Sequence, residues 1–290
     1  MSTSGGYVEV RALLLCLWGL FGVCWAAESQ SVLVSVAAYQ EIVQQMAGDT
    51  IPVHSVVPAG VSFHTFDPTP SQIEPLCHAT LWFTIGEAFE KKILQTLSGL
   101  GTNPVVVDLR NGVPLIEDEH VHCAEGAADP HIWTSPKLMK IQLTTIRNGL
   151  QNLFPEQKEE IGQRYEALQK QVDALIRDAD VKLGNAKDSI IVVAHGAYGY
   201  LCRDYGICQL SIESGGKEVT VKTLESVITQ AKAKGVHTVF ALKQYPRKGI
   251  ERVSEILGAK VIELNAYQPD YFGGEQFTIQ SFHDAIGEEQ

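Results

Sequence analysis

Apolar runs of strand length alternate with amphipathic helical stretches along most of the chain, and one interruption breaks the rhythm. Ser31 to Ser35, Pro52 to Val57, Thr80 to Ile85 and Pro104 to Leu109 read as strands; Tyr39 to Ala47, Pro70 to Cys77 and Glu87 to Leu97 between them read as helices. Two long helical segments then follow each other, Pro136 to Phe154 and Glu156 to Leu183, split by Pro155. The second sets Ile161, Tyr165, Leu168, Val172, Leu175 and Ile176 at three- and four-residue spacing among charged residues, so it buries one face and solvates the other. Alternation resumes with strands over Ser189 to Ala194, Cys208 to Ile212, Thr238 to Leu242 and Lys260 to Leu264, and helices over Ala197 to Tyr205, Val221 to Lys234 and Pro246 to Leu257. Strand–helix alternation demands parallel sheets covered on both faces. The expected fold is therefore α/β: two Rossmann-like lobes with mostly parallel sheets, residues 27–155 and 185–290, joined by one long α-helix over residues 156–184.

The first 26 residues stand outside that pattern. A short polar lead with Arg11, an apolar run from Ala12 to Val23 and small residues at Ala26-Ala27 have the layout of a secretory signal peptide, with cleavage expected after Ala26. A lipid anchor on Cys24 is the weaker alternative, because bulky Val23 stands where a small residue is expected. Export makes the expected compartment periplasmic. It also allows Cys77, Cys123, Cys202 and Cys208 either to form disulfides, with Cys202 and Cys208 the first pair to consider, or to remain buried thiols. A net charge of −11 with no basic tract argues against nucleic acid as a partner.

Three histidines fall where such a fold collects ligands. In open parallel sheets the binding crevice lies beyond the carboxyl ends of the strands. His195 follows directly on the Ile190 to Ala194 run, and Gly196 lets the backbone turn closely there. His64 lies in the loop after the second strand, beside Asp67-Pro68. His131 follows Asp129-Pro130 in a loop before the first long helix, where Asp129 either orients an imidazole or caps the turn. These positions are 67 and 64 residues apart, so the rings can meet only inside a folded cleft, where imidazole suits zinc and related metals. A lone loop histidine is ordinarily solvated; the coincidence of three at cleft edges is what makes a metal site an even match for that reading. His54, His78, His237 and His283 keep the ordinary one. The stretch Glu117-Asp118-Glu119-His120-Val121-His122-Cys123 reads either as a weak collector of divalent metal or as a solvated polar loop.

Four blocks around these residues resemble the metal-specific solute-binding proteins of ABC importers, the zinc, manganese and iron group. They are His64-Thr65-Phe66-Asp67-Pro68-Thr69-Pro70-Ser71, Gly86-Glu87-Ala88-Phe89-Glu90, Asp129-Pro130-His131-Ile132-Trp133 and His195-Gly196-Ala197-Tyr198-Gly199-Tyr200, in the family's order. The resemblance implies one metal in the interlobe cleft, held by His64 and His131 from the first lobe and His195 from the second, and a membrane ABC permease as partner of a monomeric receptor. It also implies a fourth ligand, usually an aspartate soon after the last strand. Asn265 stands there instead and can offer only a neutral amide oxygen. Asn265, a water or nearby Asp270 are the candidates for the fourth position. Three imidazoles with a weak oxygen suit Zn2+ best, with Mn2+ and Fe2+ the alternatives. Proton competition is expected to weaken binding as pH falls toward 6.5. Two rivals come from other classes: a zinc-dependent hydrolase, which lacks a His-Glu-x-x-His helix here, and an adhesin or scaffold with an incidental metal.

Overall fold

The computed structural model describes residues 30–116, 128–214, 217–218 and 220–288. Residues 1–29 with Cys24, the acidic histidine stretch and Cys123 lie outside the described residues. The first sheet contains β1 (Ser31–Val36), β2 (Val53–Val57), β3 (Ala79–Thr84) and β4 (Val105–Asp108), all parallel, in the order β2-β1-β3-β4. The second contains β5 (Ile190–Val193), β6 (Cys208–Ser211), β9 (Thr238–Leu242) and β10 (Lys260–Leu264), again parallel, in the order β10-β9-β5-β6. A short antiparallel pair, β7 (Glu213–Ser214) with β8 (Lys217–Glu218), follows β6.

Counted within each lobe, both sheets have the same order, 2-1-3-4, so each reverses winding direction beside its first strand. That reversal opens a crevice at the carboxyl edge. The fully buried strands are the inner ones: Val32, Leu33 and Val34 of β1, Leu81, Trp82 and Phe83 of β3, Val192 and Val193 of β5, Val239 and Phe240 of β9. Burial on both faces is why these runs read as continuous apolar stretches and not as alternation.

Helices α1 (Gln40–Ala47), α2 (Pro70–Ile73) and α3 (Ala88–Gly99) serve the first sheet, and α6 (Gly199–Tyr205), α7 (Val221–Ala233) and α8 (Lys248–Leu257) the second. The stretch expected to be one helix to Cys77 divides at Ile73, because Pro75 cannot continue the α-helical bonding; a 3-10 turn, Glu74–His78, takes over. The two long helices are α4 (Pro136–Leu153) and α5 (Lys158–Leu183). Ser135 caps α4 by accepting from Leu138 N at 3.1 Å, and Pro136 occupies its first turn. Gly149 lets α4 lie against the first sheet, for a Cβ there would meet Phe83 Cε1 at 2.8 Å. α5 buries Ile161, Tyr165, Leu168, Val172, Leu175, Ala179 and Leu183 on one face. It packs on α1 and α4 and also on α9 (Tyr271–Gly287), so it touches elements on both sides of the cleft.

The strand–helix reading stops at Leu264, and α9 is an addition to it. Its signal was Asp270, whose carboxylate caps the helix, followed by Tyr271, Ile279, Phe282 and Ile286 on the buried side. Cys77, Cys202 and Cys208 are free thiols, so the Cys202–Cys208 bridge considered from sequence is not formed. Cys202 is buried on α6 whereas Cys208 is exposed at the start of β6. No helix among the described residues is long and apolar enough to cross a membrane.

Candidate metal centre

Each histidine is delivered by a different local device. His64 sits in a 3-10 turn, Phe63–Thr65, between β2 and α2, and Phe63 packs against its ring at 4.1 Å between centroids. Just beyond, Thr69 and Gln72 form a capping box that fixes the entry to α2. His131 precedes the turn Ile132–Thr134 that leads into α4. His195 ends the apolar run of β5, and Ala194 N donates to Phe240 O at 2.8 Å, extending the sheet to the edge of the crevice.

The three rings converge. One ligand atom from each of His64, His131 and His195 lies within 4.8 Å of the others, with His131 and His195 buried and His64 half-buried. Ring centroids are 5.6, 5.0 and 5.2 Å apart for His64–His131, His64–His195 and His131–His195. A tetrahedral zinc with bonds of about 2.0–2.1 Å needs its nitrogens about 3.3–3.4 Å apart. Closing inward by no more than about 1.5 Å per pair would therefore bring the three nitrogens to tetrahedral spacing.

The polar atoms around the rings fit a cation. His64 Nε2, His195 Nδ1 and His195 Nε2 are buried and have no hydrogen-bond partner. Burial, reinforced by the neighbouring His131, lowers the His64 pKa to about 3, and burial likewise holds His195 well below its ordinary value. Buried neutral imidazoles with free lone pairs are metal donors awaiting a partner, since an unpaired buried polar atom is otherwise costly.

His131 is held differently. Asp129 Oδ1 accepts from His131 N at 2.9 Å and from ring Nδ1 at 2.8 Å. This assigns the proton to Nδ1 and leaves the Nε2 lone pair facing the cleft. Gly199 gives the other carboxylate oxygen its room, as a Cβ at that position would meet Asp129 Oδ2 at 2.8 Å. Across the cleft Trp133 Nε1 donates to Ala266 O at 2.7 Å, Thr134 Oγ1 to Ala197 O at 3.1 Å and Tyr200 Oη to Asp129 O at 2.6 Å. The segment carrying His131 is thus pinned to both lobes.

The Gly86-Glu87-Ala88-Phe89-Glu90 block is scaffolding for this edge. The Glu90 carboxylate accepts from Ile85 N, Gly86 N and Glu87 N at 2.7, 2.8 and 2.9 Å, and from the Ser35 hydroxyl. Burial still raises its pKa, with those hydrogen bonds offsetting part of the effect. Gly86 adopts φ +84°, a conformation that favours glycine, and a Cβ there would also displace the Arg110 guanidinium.

Both oxygen candidates are engaged in other hydrogen bonds, and Asp270 is not among the residues that cluster with the three histidines. Asn265 Oδ1 accepts from Gln244 Nε2 at 2.6 Å and from Tyr267 N at 3.2 Å, which turns it into a backbone brace. Asp270 is exposed, and its carboxylate accepts from Gly273 N at 2.9 Å as the cap of α9. Two tyrosines that the sequence reading did not single out stand at the rings instead. Tyr267 Oη is 3.0 Å from His131 Nε2, and the Tyr245 ring stacks on His195 at 4.2 Å and 13°. Only their place just after the last two strands of the second sheet hinted at this.

Residues 32–285 match the family described as ZnuA, the periplasmic component A of zinc-uptake complexes. The chain belongs to the ZnuA family. A candidate metal-binding protein of Chlamydia muridarum is 30 % identical over 281 residues, covering 95 % of this chain and all of that one. The zinc-binding protein TroA of Treponema pallidum is 25 % identical, covering 89 % of this chain and 80 % of its own length. Among solved structures, a crystal structure of ZnuA superposes with TM-score 0.82 at 28 % identity, over 89 % of this chain and 99 % of the other. The ZnuA-like architecture of two parallel sheets and a long central helix is therefore shared.

Proposed function

We propose that this chain is an exported, monomeric receptor that captures one divalent transition metal, zinc before manganese or iron(II), and hands it to a membrane ABC permease. The observation that carries the reading is the meeting of His64, His131 and His195 in one buried cluster, with three ring nitrogens lacking any partner. Relatives named as zinc-binding TroA, a high-affinity zinc uptake protein of Bacillus subtilis and a manganese transporter lipoprotein of Streptococcus anginosus support the cargo class and leave its identity to the donor atoms. All donors in the cluster are neutral nitrogens, which favour zinc; manganese and iron(II) gain more from carboxylate oxygen. Capture at nanomolar concentration corresponds to about 12 kcal/mol, within reach of several buried zinc bonds. Membership of an uptake-complex family, as opposed to a hydrolase family, sets the enzyme alternative aside.

The proposed cleavage after Ala26 would leave the lobes, residues 27–155 and 185–290, outside the cytoplasm with residues 156–184 between them. Chelator-treated mature protein offered an equimolar mixture of Zn2+, Mn2+ and Fe2+ should retain one equivalent of zinc by elemental analysis. Retention of manganese or iron in its place would reassign the cargo, and retention of no metal would refute the receptor.

A further inference from the structure

A line of hydroxyl groups crosses the cleft to reach His131. Ser62 Oγ donates to Tyr245 Oη at 3.3 Å, Tyr245 Oη lies 3.0 Å from Tyr267 Oη, and Tyr267 Oη lies 3.0 Å from His131 Nε2. Ser62 and His131 come from the first lobe, the two tyrosines from the second. All four residues are at least nine-tenths buried. The direction of every bond follows from Asp129: it accepts a hydrogen bond from Nδ1–H, so Nε2 accepts from Tyr267, which accepts from Tyr245, which accepts from Ser62. Such a chain, with each hydroxyl both donating and accepting, is mutually reinforcing in a low-dielectric interior.

We propose that Tyr267 sets the affinity of the site by holding the ion's seat on His131. The inference rests on the proposed metal-receptor reading. An ion on Nε2 would stand about 2.0–2.1 Å out along the lone pair. The Tyr267 oxygen is on that lone pair at 3.0 Å, which would leave about 1 Å between ion and oxygen. The two cannot coexist, so binding must break the Tyr267–His131 bond and move the hydroxyl outward by about 1 Å or more. No other ring nitrogen in the cluster pays this cost, because those of His64 and His195 described above have no partner to lose. Asn265 belongs to the same device: its amide oxygen holds Tyr267 N, and Gln244 holds Asn265. In this chain the residue standing where the family's aspartate is expected therefore presents a competitor for the metal and not a ligand.

The test is zinc titration by calorimetry together with thermal melting of chelator-treated and zinc-loaded protein, for the wild type and Tyr267→Phe. Loss of one hydrogen bond from the chelator-treated state alone should tighten zinc binding about 2- to 12-fold. The melting temperature of the chelator-treated variant should fall, while that of the zinc-loaded variant stays at the wild-type value. A purely structural role would lower both melting temperatures and leave affinity unchanged. Tyr245→Phe keeps the ring that stacks on His195 but removes a donor to Tyr267; it should shift affinity in the same direction by less, and it serves if Tyr267→Phe does not fold. Unchanged or weakened zinc binding in the folded variant overturns the proposal, weakening because it would make the tyrosine a ligand. A wild type that binds neither zinc nor, in parallel titrations, manganese or iron(II) would refute the receptor reading itself.

Discussion

Replacing Asp129 should cost zinc affinity although Asp129 touches no ion. Its Oδ1 is the shared acceptor for His131 N and Nδ1, and only about 6 % of the residue is exposed, so water cannot readily substitute. Asp129→Ala frees the ring to rotate and removes the negative charge that strengthens Nε2 as a donor. Loss of such a supporting carboxylate costs about 10- to 100-fold in metal affinity, or about 1.4–2.7 kcal/mol. Asp129→Asn retains an oxygen acceptor for both bonds and loses only the charge, so its effect should be the smaller. Gly199 provides an independent route to the same carboxylate, since the Cβ of Gly199→Ala would fall 2.8 Å from Asp129 Oδ2 and push it off the ring. The assay is competitive zinc titration against a chromogenic chelator. The expected order of affinity is wild type, then Asp129→Asn, then Asp129→Ala, with Gly199→Ala below wild type. Affinities within twofold of wild type for Asp129→Ala and Gly199→Ala would show that His131 is oriented by something else, and the reasoning from its hydrogen bonds would fail.

Two further predictions concern protons. Burial holds the His64 pKa at about 3 and His195 well below 6.5, so both rings are neutral in the fold where unfolded histidine gains its proton. Their contribution to stability is present above pH 6.5 and is lost as pH falls below it, by about 1.4 kcal/mol per pH unit for each ring until its folded pKa is reached. Melting of chelator-treated protein should therefore decline below pH 6.5, while protons should not displace zinc from these two rings at that pH; a flat melting profile from pH 7 to 5 would contradict the burial. Glu275 has the opposite sign. Burial raises its pKa well above 4.5, and its Oε2 has no hydrogen-bond partner. The stability it supplies is present below pH 4.5 and lost as pH rises above it, so Glu275→Gln should raise the melting temperature at pH 8 and leave it nearly unchanged at pH 4. Equal shifts at both pH values would show that Glu275 does not change protonation on folding.

Strand–helix alternation made both sheets legible, because their inner strands are covered on both faces and carry the apolar runs that such cover requires. Pro155 and the spacing from Ile161 onward announced α4 and α5. The α9 helix carries no strand–helix signal of its own beyond its cap, Asp270, which is equally a metal-ligand candidate; a carboxylate three residues before a glycine pair serves either role until the backbone N–H groups are seen. His64, His131 and His195 were legible because each stands where a strand ends or a helix begins at the crevice. Tyr245 and Tyr267 were not, since an aromatic residue after a strand is ordinarily core, and only the three-dimensional approach to His195 and His131 distinguishes them. Asn265 was legible as a departure, but its partners, Gln244 and the Tyr267 amide, could not be read from the linear order.

The central claim is that His64, His131 and His195 hold one metal together. Calorimetric titration of the mature chain with zinc, repeated for His64→Ala, His131→Ala and His195→Ala, tests it most directly. The account predicts one zinc per wild-type chain and a loss of more than about 100-fold in affinity for each variant, a larger loss than removal of a supporting residue produces. Wild-type affinity in any of the three folded variants would contradict it.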